Sequence, residues 1–497
     1  MRTFFYRESC HLLGAAAILA LAGAAAAQDS PVEAAVHFEN KLRAWDGFGV
    51  NYVEACQTRD YKQRPQEYGG FSTLSQKKRE EILDLTFGPD GLKPGLLKMF
   101  LDPFHEGMTA DGNDNRDTNV TDMSRFDHQT TTKWLRYFAQ EGLKRNRARG
   151  ADLAIITTLY GPPAWTTKQK FLRGRDLDPA MKEEVAEYMI SWVKYLRDVE
   201  KLPVKYISLH NEGEGYNRWP VDGSTAGTPN HDYNLWWPSS QVVDFLRFMR
   251  PMMDRQGLKE VGLTPGETSN WEAFGRWYAW FIEQDPVASK NLGLITSHGF
   301  GLGPGSNNSL GVDTIHLVRP DVHAWTTSMS FGRMDTSFVE MVRQNIYVSK
   351  VNALIPWAYI QTDDWTGGDP NPGTAFWVDG KGGYVIEPGY YLFKQLSRAG
   401  QPGMAVAEVA TSDPGIQLMA FSSNGTANPD ALVVFNLTER PKANVRIRVS
   451  GTGAGSFDAY ISGFRKHYEA LGTVAARSGV LECSLPGQAV ITFFGRR

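Results

Sequence analysis

Residues 179–215 read PAMKEEVAEYMISWVKYLRDVEKLPVKYISLHNEGEG, and this stretch contains one complete repeat of a fold. Its first part, 179–199, sets apolar residues at helical spacing behind an acidic first turn. A short apolar run at 205–209 follows, and the sequence then turns polar at HNEGEG. Helix, strand and polar loop in that order form the unit of a parallel α/β sheet. Comparable apolar runs stand on either side at 44–50, 96–101, 153–158, 261–264, 293–297, 322–326 and 353–357, mostly with helix-like segments between them. Segments 239–253 and 336–350 are the most readable of those helices. Eight such runs predict a (β/α)₈ barrel. Each run ends in polar, aromatic or Gly/Pro-rich sequence: GVNYVEA, DPFHEG, TLYGPPAW, HNEGEG, PGETSNW, HGFGLG, TSMSFG and AYIQTDDW. Those ends are where such barrels build their active sites.

The texture changes near residue 397. Short alternating stretches at 416–421, 432–437, 443–449, 457–461, 481–485 and 489–494 are separated by turn residues, the pattern of a β-sandwich. Residues 36–38, in AAVHFEN, also alternate and are expected to join that sandwich. The expected organisation is a leader at 1–27, an N-terminal sandwich strand at 28–44, the barrel at 45–396 and the sandwich at 397–497. GTGAGS at 451–456 superficially resembles a phosphate loop. It lies between two strands with no helix after it, so it reads as a turn.

The leader is predicted from Arg2 and Arg7 before an apolar run from Leu12 to Ala22, with an A-x-A site before Gln28. That is the form of a secretory signal peptide, too short for a membrane span. Cys10 precedes the apolar run, which excludes a lipoprotein reading. Secreted or periplasmic residence is therefore expected, with no membrane attachment after cleavage. Cys56 and Cys483 do not make a disulfide framework. The formal charge of −3 carries no basic stripe, which argues against nucleic acid as a partner. The chain has 14 tryptophans and 12% aromatic residues; flat rings suit sugar faces, and a large core needs them equally. The ten histidines show no H-x-x-x-H or H-x-H spacing, so neither a metal nor another cofactor is expected.

Cleaving a glycosidic bond needs a carboxylic acid for the leaving oxygen, and a second carboxylate as nucleophile or base. Glu212, at the end of the fourth strand run, is the candidate acid, with Asn211 beside it to bind a sugar hydroxyl. A helix-capping Asn-Glu pair is the bland alternative.

At this point the sequence resembles the glycoside hydrolase family 30 enzymes and their relatives in the same barrel clan. WDGFGVNYVEA (45–55) looks like that family's opening I-D-G-F-G motif. TLYGPPAW (158–165) is similar to S-P-W-S-P-P-x-W, with Tyr160 replacing the first tryptophan. LHNEGE matches the Asn-Glu acid/base motif. TPGETSNW, ITSHGFG and GYYLFKQLSRAGQPG have counterparts as well. The resemblance implies that Glu212 is the acid/base of a hydrolase acting on β-linked sugars. It also implies that Tyr160, Trp165, His298 and Trp357 line the subsite of the sugar to be cleaved; rim packing is the alternative for each.

One departure matters. The family's nucleophile is a glutamate at the end of strand seven, in a pattern like W-x-T-E-x-S, and WTTSMSFG places Ser328 there. A serine hydroxyl supplies no negative charge and is a poor nucleophile without a base. Another carboxylate at a strand end, Glu267, Glu54, Asp102, Asp335 or Asp363, would then serve, and whether the reaction retains or inverts stays open. A shifted strand-seven alignment, or a protein that binds glycans without cleaving them, are the alternatives. Lys98, near strand two, fits neutral, amino or uronic sugars alike.

Overall fold

A computed structural model describes residues 31–52, 70–105, 120–218, 221, 234–301, 308–362, 373–463 and 465–496. The leader, Glu54, Cys56 and Asp363 lie outside the described residues. The first strand, β1 (Val32–Ala44), belongs to the C-terminal sheet. The barrel begins with β2 (Gly47–Asn51) and continues through β3 (Leu96–Leu101), β4 (Ala154–Leu159), β5 (Val204–Ser208), β6 (Gly262–Thr264), β7 (Glu267–Thr268), β8 (Ile295–Ser297), β9 (Ala324–Ser330) and β10 (Ala353–Trp357). All pair in parallel, in the order β6-β5-β4-β3-β2-β10-β9-β8-β7.

Strands β6 and β7 are two halves of one barrel strand, parted at Pro265–Gly266. β6 pairs with β5 and β7 with β8, which closes the ring of eight. Gly266 has φ +110°, and a Cβ there would lie 2.1 Å from His210 Nε2, so only glycine fits. The fold class is thus a (β/α)₈ barrel. Most strand residues are buried, as in LLKMFL of β3, because helices cover the outside and side chains fill the inside; Lys205 of β5 is the exposed exception.

Helices α1 (Gln76–Phe87), α2 (Lys133–Ala148), α3 (Lys182–Lys194) and α4 (Ser239–Arg255) form much of the outer ring. The predicted helix at 179–199 is composite: a 3₁₀ turn at Pro179–Met181, then α3, then a π turn at Tyr195–Val199. After β7 comes a segment assembled from α5 (Trp271–Phe274), a π turn (Gly275–Ala279) and α6 (Trp280–Glu283), followed by α7 (Pro286–Asn291). The wall is completed by α8 (Leu310–His316), α9 (Thr336–Tyr347) and α10 (Pro388–Ala399). No helix among the described residues is long and apolar enough to cross a membrane. Three short strands, β11 (Ile360–Thr362), β12 (Phe376–Val378) and β13 (Tyr384–Ile386), make a side sheet beyond β10.

The remaining strands are β14 (Ala405–Thr411), β15 (Ile416–Ser422), β16 (Ala431–Asn436), β17 (Lys442–Ser450), β18 (Ser456–Gly463), β19 (Lys466–Ala475), β20 (Val480–Leu485) and β21 (Val490–Arg496). With β1 they form one continuous sheet of nine, β19-β18-β21-β16-β15-β14-β1-β17-β20. β1 runs antiparallel to β14 and parallel to β17. Val36, Ile447, Leu418, Ile461 and Ile491, drawn from across the sheet, share one apolar cluster, so the sheet curls over its own core as a sandwich. Its other side docks on the barrel, where Trp45 meets Phe48 and Phe421 at ring separations of 4.9 and 5.2 Å.

Candidate active site

The barrel floor is apolar: Leu96, Ile156, Trp325, Ala353 and Ile355 pack together inside it. Two residues along each strand, side chains return to the same side. At that next level Leu96 gives way to Lys98 and Ile156 to Thr158. Polar groups therefore begin one layer above the floor and continue to the C-terminal mouth.

Four of them form a chain with Glu212. Lys98 is fully buried, and its Nζ donates to Glu267 Oε2 and, at 2.7 Å, to Ser328 Oγ. Glu267 is also fully buried, and its Oε1 accepts from Thr158 Oγ1 at 2.5 Å. His298 stands between two carboxylates, with Nδ1 2.6 Å from Glu212 Oε1 and Nε2 3.2 Å from Glu267 Oε2. Glu212, Glu267, His298, Lys98 and Ser328 thus come from five different barrel strands, Lys98 from within β3 and the others from nearer the C-terminal ends. Burial alone would raise the Glu267 carboxyl, yet Lys98 and His298 outweigh it and hold the group down to about 2. Burial opposes the charging of His298, but the Glu212 and Glu267 carboxylates together outweigh it, so that imidazole is pushed upward.

The backbone is unusual at two links of this chain. Glu212 has φ +47° and Ser328 φ +73°, both in the left-handed region that side chains avoid. Ser328 is the extra residue of a bulge: Thr327 pairs with Ile355 and Met329 with Pro356, leaving Ser328 unmatched. Glu212 is held by its own N–H, which donates to the Glu267 carbonyl at 2.6 Å, while Glu267 N–H donates to the His210 carbonyl at 2.8 Å. These bonds tie the end of β5 to β7.

Asn211 is buried beside Glu212, and its carbonyl accepts from Asn234 Nδ2. Tyr160 has no exposed surface; it packs edge-on against Phe100 at 5.0 Å, in one cluster with Trp357, which is 8% exposed. Trp165 is half-buried, in the 3₁₀ turn Ala164–Thr166. Asp102, at the end of β3, instead engages Phe104 N–H (2.8 Å) and His105 Nε2 (3.3 Å). Asp335 caps α9 through Ser337 N–H. Neither belongs to the chain around Glu212.

Glu214 was not among the residues expected from sequence. Its Oε1 accepts from Ser269 N–H at 2.7 Å, its Oε2 is buried without a partner, and burial, then the Glu212 charge, push its carboxyl up. The E-x-E spacing of NEGE was the available signal. No group of His, Cys, Asp or Glu among the described residues is arranged to hold a metal ion.

A closed eight-stranded barrel with a β-sandwich built from both ends of the chain is the architecture of family 30 glycoside hydrolase structures, and this chain has that fold. It aligns with a GH30 endoxylanase from Clostridium papyrosolvens at TM-score 0.65 and 16% identity, over 94% of this chain and 100% of that one. SrfJ from Salmonella typhimurium aligns at TM-score 0.67 and 15% identity, over 93% and 92% of the two chains. An endo-β1,6-glucanase aligns at TM-score 0.67 and 16% identity, over 94% of each. No family model matches the sequence, and no curated protein matches it either.

Proposed function

We propose that this protein is an exported glycoside hydrolase of β-linked oligo- or polysaccharides, with Glu212 as its proton-transfer carboxylate. The observation that carries the reading is the Glu212–His298 pair, bonded at 2.6 Å at the mouth of a glycosidase-type barrel. Glu212 keeps part of its side chain in contact with solvent, 12%, whereas Glu267 behind it has none. Glu212 is therefore the carboxylate a substrate reaches. Glu212 Oε1 and His298 Nδ1 share one hydrogen bond, so a proton resting on Nδ1 can pass to Oε1 and from Glu212 to the leaving oxygen. Glu267 serves as the fixed counter-charge for His298 and Lys98, since its two oxygens are both taken. The fold relatives described as xylanase and β1,6-glucanase support a polysaccharide substrate.

A second reading, a glycan-binding protein without turnover, draws on Ser328. Lys98 Nζ donates to Ser328 Oγ, and Ser328 is the residue that the family resemblance aligns with the nucleophile of a retaining barrel. Screening on a polysaccharide panel, with anomeric products followed by NMR, separates the two readings. Hydrolysis that Glu212→Gln abolishes supports the enzyme; binding with no product from any glycan removes it.

A further inference from the structure

The composite helical segment after β7 buries Trp271, Phe274, Gly275, Tyr278, Ala279 and Ile282. Those positions recur at helical spacing and form one inward face. The opposite face of an ordinary barrel helix carries charged and polar residues. Here it carries Trp277, Trp280 and Phe281, exposed by 52%, 61% and 48%. They lie within one turn, so their rings are neighbours on the outer wall. Arg276 and Glu272 flank them and bind each other at 2.6 Å, and Gln284 is exposed on the same face.

Three aromatic side chains left about half in water amount to roughly 300 Å² of ring surface. A stable protein–protein interface buries about 800 Å² on each partner. The patch is too small for a lasting dimer and comparable to the flat face of a short run of sugar rings. Its composition points the same way. Indole and phenyl rings offer planar C–H-binding surfaces, while the polar rim of Arg276, Glu272 and Gln284 can reach hydroxyl groups. The segment starts at the mouth, just past β7, and at 1.5 Å per residue the rings lie about 9–15 Å down the wall from Trp271.

We infer that Trp277, Trp280 and Phe281 form an auxiliary platform that holds an insoluble glycan chain against the barrel wall, separate from the cleavage site. The inference rests on the glycan-active reading, and its test is kept apart from turnover. Adsorption to suspended insoluble xylan and insoluble β-glucan is measured with Glu212→Gln protein, so the particles stay intact. Adding Trp277→Ala, Trp280→Ala and Phe281→Ala together should weaken adsorption by about tenfold or more. In the Glu212-intact protein, the same triple change should leave cleavage of soluble oligosaccharides unaltered. Equal adsorption with and without the three rings would overturn the platform, as would failure of the ring-intact protein to adsorb to either particle. A ring-dependent dimer in light scattering would instead assign the face to self-association, and ring-dependent sedimentation with phosphatidylglycerol vesicles would assign it to a lipid surface. If Glu212→Gln hydrolyses as well as the parent while adsorption still depends on the rings, the catalytic reading fails and the platform stands.

Discussion

Replacing Lys98 by methionine keeps the volume of a fully buried side chain and removes the cation that Glu267 faces. In the parent protein the Glu267 carboxyl is lowered from 4.5 to about 2, a difference equivalent to about 3 kcal/mol of stability at neutral pH. Because the folded-state value is depressed, that contribution is complete above about pH 5 and is lost as pH falls toward 2. Without Lys98, burial dominates and Glu267 moves above its unfolded value, so the sign reverses. The variant is then most stable with Glu267 protonated and loses stability as pH rises. Breaking a buried pair by removing one partner costs about 3–5 kcal/mol. Urea unfolding followed by tryptophan fluorescence at pH 7 and pH 5 gives both quantities. The variant should lose about 3–5 kcal/mol at pH 7 and regain part of it at pH 5, while the parent's Glu267 contribution stays constant across that interval. Adding Glu267→Gln to Lys98→Met should recover most of the loss. A Lys98→Met protein as stable as the parent at pH 7, with the same pH slope, would refute the account of the chain.

Glu212→Gln should keep the fold and lower turnover of natural glycans by about 10²–10⁴-fold while partly sparing activated aryl glycosides, as initial rates on the two substrates will tell. Ser328→Glu should lower hydrolysis, because the new carboxylate competes with Glu267 for Lys98 and crowds the mouth with like charge; retaining activity gained from a silent parent, read by NMR of the products, would contradict this. Gly266→Ala should destabilise by several kcal/mol in the same urea assay, since the Cβ meets His210 at a positive φ. N-terminal sequencing of protein recovered outside the cytoplasm should begin at Gln28.

The barrel was legible because its strands are short, mostly buried runs bounded by turn residues, and such runs need no long-range information to recognise. The runs at 96–101 and 353–357 coincide with β3 and β10. Less was legible where burial and alternation part company. β19 was missed because nearly every side chain on it is exposed or half-exposed, so no apolar period marks it. β14, AVAEVAT, was missed because its alternation is carried by alanines. At the site, Glu212 could be singled out from its position at a strand end and its asparagine neighbour. The partnership of Lys98 with Glu267 and Ser328 could not, because it joins residues 169 and 230 positions apart. Nor does any local signal announce that Ser328 bulges out of register, since that depends on the spacing of the facing strand.

The place of β1 in the C-terminal sheet sets an order of events during synthesis. Val32 is paired with Val445 on one side and Ala34 with Thr411 on the other, so the first strand to be made waits for nearly the whole chain before either neighbour exists. Contacts of such separation make folding slow and leave apolar strand edges open meanwhile. Val36 and Phe38, fully covered in the finished sheet, are bare throughout that interval. A sheet whose first strand pairs only with strands made near the end of the chain cannot close until synthesis is almost complete. Its assembly is the last step in making the molecule rather than the first.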